Sequence, residues 1–170
     1  MARTKKSTAK FVKYGYGQVE PNHLSAQRTA QIYAQLPAKS DITVLENGQF
    51  VKYNYPDNRV DFEGEGEWML VYNEVKIYDN RETYKDYAMT KESQVGGIIT
   101  PRVFKTNVGD IYTTNFVVTA EFAVGDNLQI NAQGIPEKAS GGSLTGMIWQ
   151  VAKICKLADG QKALKLMRIQ

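Results

Sequence analysis

Four carboxylates stand at every second position of the short stretch "VDFEGEGEW" (60–68), namely Asp61, Glu63, Glu65 and Glu67. Alternate residues of an extended strand project from the same face, so these four would form one acidic row. Neighbouring carboxylates repel one another until water, a cation or a basic partner relieves the repulsion. The row therefore fits a solvated edge strand, a docking site for a basic segment, or a calcium site.

Other residue types that carry chemistry are few. His23 is the single histidine and Cys155 the single cysteine. A lone imidazole cannot build a multi-histidine metal site, and nothing near His23 marks it as a general base. Cys155 lies among apolar residues of a predicted strand, where a buried structural thiol is expected. The sequence therefore predicts no catalytic residue, no cofactor and no metal site, and a protein that is not an enzyme.

A second charged stretch opens the chain, where "MARTKKSTAKFVK" holds five basic residues and no acidic one. The remainder has 16 basic and 18 acidic residues, a net charge of −2. Glycines and a proline follow in "YGYGQVEPN" (14–22), so we expect an extended arm over 1–22 that orders against a partner. The arm fits a solubilising tail, a nucleic-acid contact or a segment that docks along another protein. Its candidate contact residues are Arg3, Lys5, Lys6, Lys10 and Lys13.

Length and composition bound the rest of the chain. A chain of 170 residues suits one domain, here 23–170, behind the arm. Nucleic-acid binders usually carry a basic stripe on the folded domain, so the acidic remainder makes a nucleic-acid partner unlikely. No apolar run approaches the ~20 residues of a membrane helix, and no apolar run follows the basic start as in a signal peptide. We therefore expect no membrane partner, and synthesis in a cytoplasm.

The elements that must position these residues are predicted to be short strands. Two β-rich runs flank Asn47-Gly48 in 42–55, a strong hairpin signal. Strands are also predicted in 67–78 and on both sides of Gly109-Asp110 in 102–122. Residues 24–36 fit a helix and a strand equally, because they are rich in Ala and Gln yet alternate apolar with polar. A short helix or a loop fits 80–93.

The last third of the chain has the clearest pattern. "VGDNLQIN" (124–131) predicts a strand, and its Val-Gly-Asp repeats 108–110, which indicates a repeated turn. "MIWQVAKICKL" (147–157) predicts another strand, followed by a turn and an antiparallel return in "KALKLMRI" (162–169). The fold class predicted is all-β, a barrel or sandwich of short antiparallel strands with at most one or two short helices.

The stretch 122–169 resembles the small β-barrel of tailed-phage head decoration proteins, also called auxiliary or cement capsid proteins. The similarity lies in the Val-Gly-Asp entry to a strand, the Asn-Ala-Gln-Gly turn at 131–134 and the closing hairpin of 150–157 with 162–169. The stretch "TPRVFKTNVGDIYTTNFV" (100–117) is similar to segments of other phage structural proteins.

The resemblance implies a non-enzymatic virion protein, made in the host cytoplasm, that lies outside the capsid and clamps neighbouring capsomers. It implies the major capsid protein as partner and a homo-oligomer such as a trimer. The basic arm would contact the shell protein, or the acidic row of a neighbouring copy. The alternatives are another virion component, such as a head fibre base, a minor capsid protein or a head–tail adaptor, and a nucleic-acid-binding β-barrel with a basic arm.

Overall fold

The computed structural model describes residues 7–13, 15–19, 32–73, 88–141 and 144–170. Within these residues the regular structure consists of twelve β-strands and two 3₁₀ turns, Lys91–Ser93 and Val95–Gly97. Every ladder between strands is antiparallel. The prediction of an all-β domain of short antiparallel strands is therefore confirmed.

The strands form two five-stranded sheets and one small ladder. Sheet 1 has the order β1-β7-β5-β3-β4, sheet 2 has the order β10-β9-β11-β12-β8, and β2 pairs with β6. The strands are β1 (Ile32–Gln35), β2 (Val44–Leu45), β3 (Phe50–Asn54), β4 (Arg59–Asp61), β5 (Met69–Val71), β6 (Met89–Thr90), β7 (Arg102–Phe104), β8 (Ile111–Thr114), β9 (Asn127–Ile130), β10 (Pro136–Lys138), β11 (Ile148–Lys156) and β12 (Lys162–Arg168).

The main core lies between the two sheets. Sheet 1 contributes Phe50, Leu70 and Phe104 to one buried cluster, and β8, β9, β11 and β12 contribute its other face. Phe50 reaches across, with its ring centroid 6.0 Å from that of Tyr112 and 5.8 Å from that of Trp149. Tilted and edge-to-face aromatic pairs of this kind add to the gain from burial. The two sheets therefore form a sandwich.

Sheet 1 is apolar on both faces. Its other face carries Val51, Met69, Val71 and Val103, which residues around 36–45 and Ile99 cover in a second buried cluster. A strand buried on both faces reads as a continuous apolar run rather than an alternating one. This is why "WMLVY" (68–72) holds no polar residue.

The prediction of a hairpin at Asn47-Gly48 is wrong. Strand β2 pairs with β6, and β3 pairs with β4 and β5 instead. A turn does form, since the Gln49 amide donates to the Glu46 carbonyl at 3.1 Å, but its polar side chains bind distant parts of the chain. The hairpin that forms joins β3 to β4 through the turn 55–58.

The two Val-Gly-Asp stretches form the same turn. In each turn, the Asp side chain and backbone bind the residue three positions earlier, which is Asn107 for Asp110 and Ala123 for Asp126. The Asp amide donates to the carbonyl of that residue, and the Asp carboxylate accepts from its amide. The central glycines have φ of +92° and +94°, as position i+2 of a type II turn requires. Gly109 and Gly125 then donate to the carbonyls of Arg168 and Val151.

These turns flank the closing hairpin on its two sides. The first leads into β8, which pairs with β12, and the second into β9, which pairs with β11. The predicted hairpin of 147–157 with 162–169 is confirmed as β11 and β12. The repeat is therefore a repeated strand entry around one hairpin.

Three further stretches of the chain, 24–36, 80–93 and 136–138, complete the comparison between prediction and structure. Of the ambiguous stretch, residues 32–35 form strand β1, and 24–31 lie outside the described residues. The stretch 80–93 is described from residue 88 and ends in a 3₁₀ turn. The sequence did not predict β10, which pairs with β9 beyond the turn at 131–134.

The turn at 131–134, which follows β9 of sheet 2, is hydrogen-bonded to Phe50 of sheet 1 through Gly134. Gly134 has φ of +72°, its carbonyl accepts from the Phe50 amide at 2.8 Å, and an added Cβ would lie 1.9 Å from the Phe50 carbonyl oxygen. We expect Gly134→Ala to lower the free energy of unfolding by about 3 kcal/mol or more, because the clash adds to the left-handed cost of about 1–2 kcal/mol.

Gly109→Ala is the matched control for that variant. Gly109 has φ of +92°, but no atom lies within 4 Å of an added Cβ. It should cost only the conformational term of about 1–2 kcal/mol in the same urea titration. Equal losses at both positions would show that the contact with Phe50 does not hold the sheets together.

Candidate functional site

The described part of the predicted arm lies against the β-domain. Ala9, Phe11, Val12 and Val19 are buried, with Val12 fully so. Phe11 packs edge-on against Phe122, with ring centroids 6.2 Å apart. Apolar side chains between the basic ones therefore hold residues 7–13 and 15–19 on the body, and these residues are not a free arm.

A buried carboxylate, that of Glu46, holds this segment. It is 2% exposed and accepts hydrogen bonds from the Ser7 hydroxyl at 3.0 Å and the Gly17 amide at 2.5 Å. The Thr8 backbone also donates to it. Burying a carboxylate is costly unless donors surround it, and here all three donors belong to one segment. We call Glu46 with Ser7, Thr8 and Gly17 the latch.

Further polar contacts fasten the same segment to sheet 2. The Gln18 amide donates to Asn115 Oδ1 at 2.8 Å, and the Thr114 hydroxyl donates to the Gln18 carbonyl at 2.6 Å. The Lys13 amide donates to Gln161 Oε1 at 3.1 Å, at the turn of the closing hairpin. The segment thus follows the edge of sheet 2 beside β8.

The loop 45–49 that carries Glu46 also binds two other stretches. Asn47 and Asn73 exchange side-chain to backbone hydrogen bonds at 2.8 and 3.3 Å, which fixes the end of β5. Gln49 Nε2 donates to the Gln133 carbonyl at 3.0 Å, which fixes the turn at 131–134. The sequence did not predict this role, although three polar residues and a glycine directly follow Leu45 in "LENGQ".

The candidate arm residues fall into two groups. Arg3, Lys5 and Lys6 lie outside the described residues. Lys10 and Lys13 belong to the latched segment, and their side chains are exposed. The basic side chains of the described part therefore point to solvent while its apolar ones enter the core.

A groove of about 770 Å³ runs beside the latched segment. Residues 8–10 form one wall, and parts of 39–44, 61–63 and 131–135 form the others. Its lining includes Lys10 and Lys39 as well as Asp41 and Glu63, so the groove carries charges of both signs.

The predicted acidic row does not form. Strand β4 ends at Asp61, which is 3% exposed, and the chain bends from 62 onward. Asp61 Oδ1 accepts from the amides of Glu63 at 2.9 Å and Gly64 at 2.6 Å, and its Oδ2 accepts from Asn54 Nδ2 at 2.9 Å. A carboxylate that bonds its own backbone a few residues on favours a turn over a strand.

The other three carboxylates of the stretch separate. Glu63 lies 3.6 Å from Lys39, whose pKa is raised chiefly by Asp41 and then by Glu63. Glu67 lies 3.8 Å from Lys105 Nζ and 3.7 Å from Arg168 Nη1, so it links sheet 1 to the end of β12. Glu65 is exposed. The four carboxylates of the predicted acidic row therefore have separate places: Asp61 in a turn, Glu63 in an ion pair, Glu67 in a contact between the sheets, and Glu65 in solvent.

The other candidate residues are placed as follows. His23 lies outside the described residues, and Cys155 is half-buried on β11, not fully buried as expected. Among the described residues, no group of three or more His, Cys, Asp and Glu side chains could hold a metal ion. In the same part of the chain, no helix has the length and apolarity to cross a membrane.

No protein-family model, no curated protein and no solved structure matches the chain.

The latch predicts a pH-dependent stability. Burial raises the pKa of Glu46 above its usual value, against three hydrogen bonds that lower it. A group whose pKa is higher in the folded state favours folding most at low pH, and this contribution is lost as the pH rises through the folded-state pKa. We expect the free energy of unfolding of the wild type, minus that of Glu46→Gln, to fall as the pH rises from about 4 to 7.

Urea titrations at several pH values measure this difference, and Glu65→Gln corrects for the loss of one negative charge at an exposed position. A wild-type minus Glu46→Gln difference that rises with pH, or that does not change, would contradict the assignment of a desolvated carboxylate to the latch.

Proposed function

We propose that the protein is a non-enzymatic structural component of a phage virion, a capsid decoration protein that binds and stabilises the assembled head shell. The proposal is supported by the resemblance of 122–169 to such proteins and by the antiparallel β-domain in which that stretch lies. Its partner would be the major capsid protein, and its location the outer surface of the head. A homo-oligomer, such as a trimer, belongs to the same proposal.

The latch is the observation that carries the proposed mode of binding. Because Ser7 is fixed by Glu46, three cations, Arg3, Lys5 and Lys6, are tethered close to one point on a rigid body. Extended chain spans at most ~3.6 Å per residue, so the Cα atom of Arg3 is within about 15 Å of that of Ser7. The cations would therefore contact an acidic surface directly beside the latched edge of sheet 2.

Weak contacts of this kind are effective on a repetitive shell. Each charged contact contributes little when exposed to solvent. An oligomer that engages several equivalent sites gains avidity without any new contact, provided that its geometry allows simultaneous binding. The proposed role therefore requires a folded domain that carries a short cationic segment, here Arg3, Lys5 and Lys6.

Removal of residues 1–6 tests the proposed role. We expect the truncated protein to sediment less with assembled head shells than the full chain does, because it loses three cations. Its melting temperature should stay within about 2 °C of the full chain, since all contacts of residues 7–19 described above remain. Replacing Arg3, Lys5 and Lys6 by Gln should reproduce the loss of binding. Binding of both variants with unchanged affinity would contradict the tether.

Removal of residues 1–13 should behave differently from removal of 1–6. It deletes Phe11 and Val12 from the core and two donors from Glu46. Loss of a buried Phe alone costs about 3–5 kcal/mol, so the unfolding midpoint should fall in urea as well as on heating. Equal midpoints for the two truncations would show that the packing of residues 7–13 adds nothing to stability.

A further inference from the structure

Strand β11 extends beyond its neighbour on one side. Strand β9 pairs with β11 only over Ile148–Gln150, and the second Val-Gly-Asp turn caps Val151 through Asp126 and Gly125. Beyond Val151 the register with β12 shifts by one residue at Ala152, which has no partner in β12, and residues 153–156 then pair with β12. Among the described residues no strand pairs with the other edge of 153–156.

The register shows which backbone groups this edge presents. In β12, the Arg168 amide donates to the Asp110 carbonyl, which lies on the β8 side. Backbone groups of alternate residues point to the same side of a strand, so the even-numbered residues of β12 direct theirs away from β11. Ile154 lies opposite Leu164, and Lys156 lies opposite Lys162. Their own amides and carbonyls therefore point outward, and within the described chain neither makes a backbone hydrogen bond on that side.

Two lysines of β11 near this edge lie opposite two lysines of β12. Lys153 lies directly opposite Lys165, and Lys156 directly opposite Lys162. Like charges at opposed positions destabilise a sheet. Among the described residues none of the four forms an ion pair, and the one ring contact is that of Lys162 Nζ, 5.5 Å from the Phe11 centroid. Because 153 and 156 are three residues apart, the two pairs lie on opposite faces of the sheet, and on each face an anionic ligand would relieve the repulsion.

We propose that the open edge of β11 at 152–156 binds an extended acidic segment of a partner protein, which adds to sheet 2 as a further strand. The outward groups of Ile154 and Lys156 supply the main-chain hydrogen bonds, and the lysines supply the charge selection. This inference goes beyond the proposed virion role and does not depend on it.

The lysines select against the other strands that such an edge could recruit. Edge lysines deter pairing with neutral or basic strands, including a second copy of β11 itself. The chain's own acidic stretch is not an extended strand, because Asp61 is buried in a turn and a Cβ on Gly64 would lie 2.5 Å from the Tyr53 carbonyl oxygen. This stretch of the described chain therefore does not fit the edge, and an acidic strand from another protein is the fitting occupant.

The spacing of the lysines defines that strand. Lys153 and Lys156 are three residues apart, so opposed carboxylates must also be three apart, one on each face of the added strand. Ile154 is 37% exposed and lies between them, so a β-branched residue suits the position opposite it. A ligand with the pattern Glu-x-Val-Glu satisfies both conditions in an antiparallel register.

The test is an NMR titration of the full chain with the capped octapeptide STETVETS. We expect shifts centred on 152–156, and amide exchange at Ile154 and Lys156 slowed at least about tenfold at saturation. Lys153→Glu should weaken binding about tenfold or more, while leaving the melting temperature equal or higher, because it replaces an opposed like-charge pair by an opposite-charge pair. Arg59→Glu, an exposed charge reversal on β4, should leave the affinity within about twofold.

Two control peptides separate strand addition from attraction of charge alone. STETPETS keeps both carboxylates but lacks the amide that would donate to Ile154, so it should bind about tenfold more weakly or worse. STKTVKTS should not bind. Full-strength binding of the proline peptide, absence of binding by STETVETS at millimolar concentration, or tighter binding of a single-stranded DNA octamer would each overturn the proposal. Concentration-dependent self-association through 152–156 would overturn it in favour of a second copy.

Discussion

The carboxylate of Glu46 is the constraint on which the arrangement of the chain depends. A carboxyl group in a protein interior is costly unless hydrogen-bond partners surround it, and the donors to Glu46 come from one segment at the start of the chain. Without that segment Glu46 would lose these three donors, and without the carboxylate the Gly17 amide would lose its acceptor. Each therefore holds the other in place, and the apolar side chains between them, Phe11 and Val12, complete the core.

The loop around Glu46 extends this constraint to the whole sandwich. Asn47 binds Asn73, just beyond the end of β5, and Gln49 binds the turn that precedes β10. One short loop thus contacts sheet 1, sheet 2 and the latched segment, so the three are expected to unfold together. Such a body is suited to presenting fixed surfaces, among them the latched edge beside β8 and the open lysine edge of β11.

Local signals predicted the parts of the fold that local contacts determine. The closing hairpin and both Val-Gly-Asp turns depend on residues within a few positions, and they were predictable. The hairpin predicted at Asn47-Gly48 does not form, because the side chains of that loop bind partners 26 residues or more away. The acidic row failed for a local reason, since Asp61 bonds the amides of Glu63 and Gly64 and ends the strand. At the start of the chain, the basic residues obscured the apolar pair Phe11-Val12, which was the signal for packing.

The most direct test of this account is native-state hydrogen exchange at the Gly17 amide, which donates to Glu46 at 2.5 Å. If the latch unites the segment with the sandwich, the opening free energy of this amide equals that of core amides in β11 and β12, and both fall together with added urea. An opening free energy for Gly17 well below the global value and independent of urea would show that residues 7–19 detach on their own, and would contradict the account.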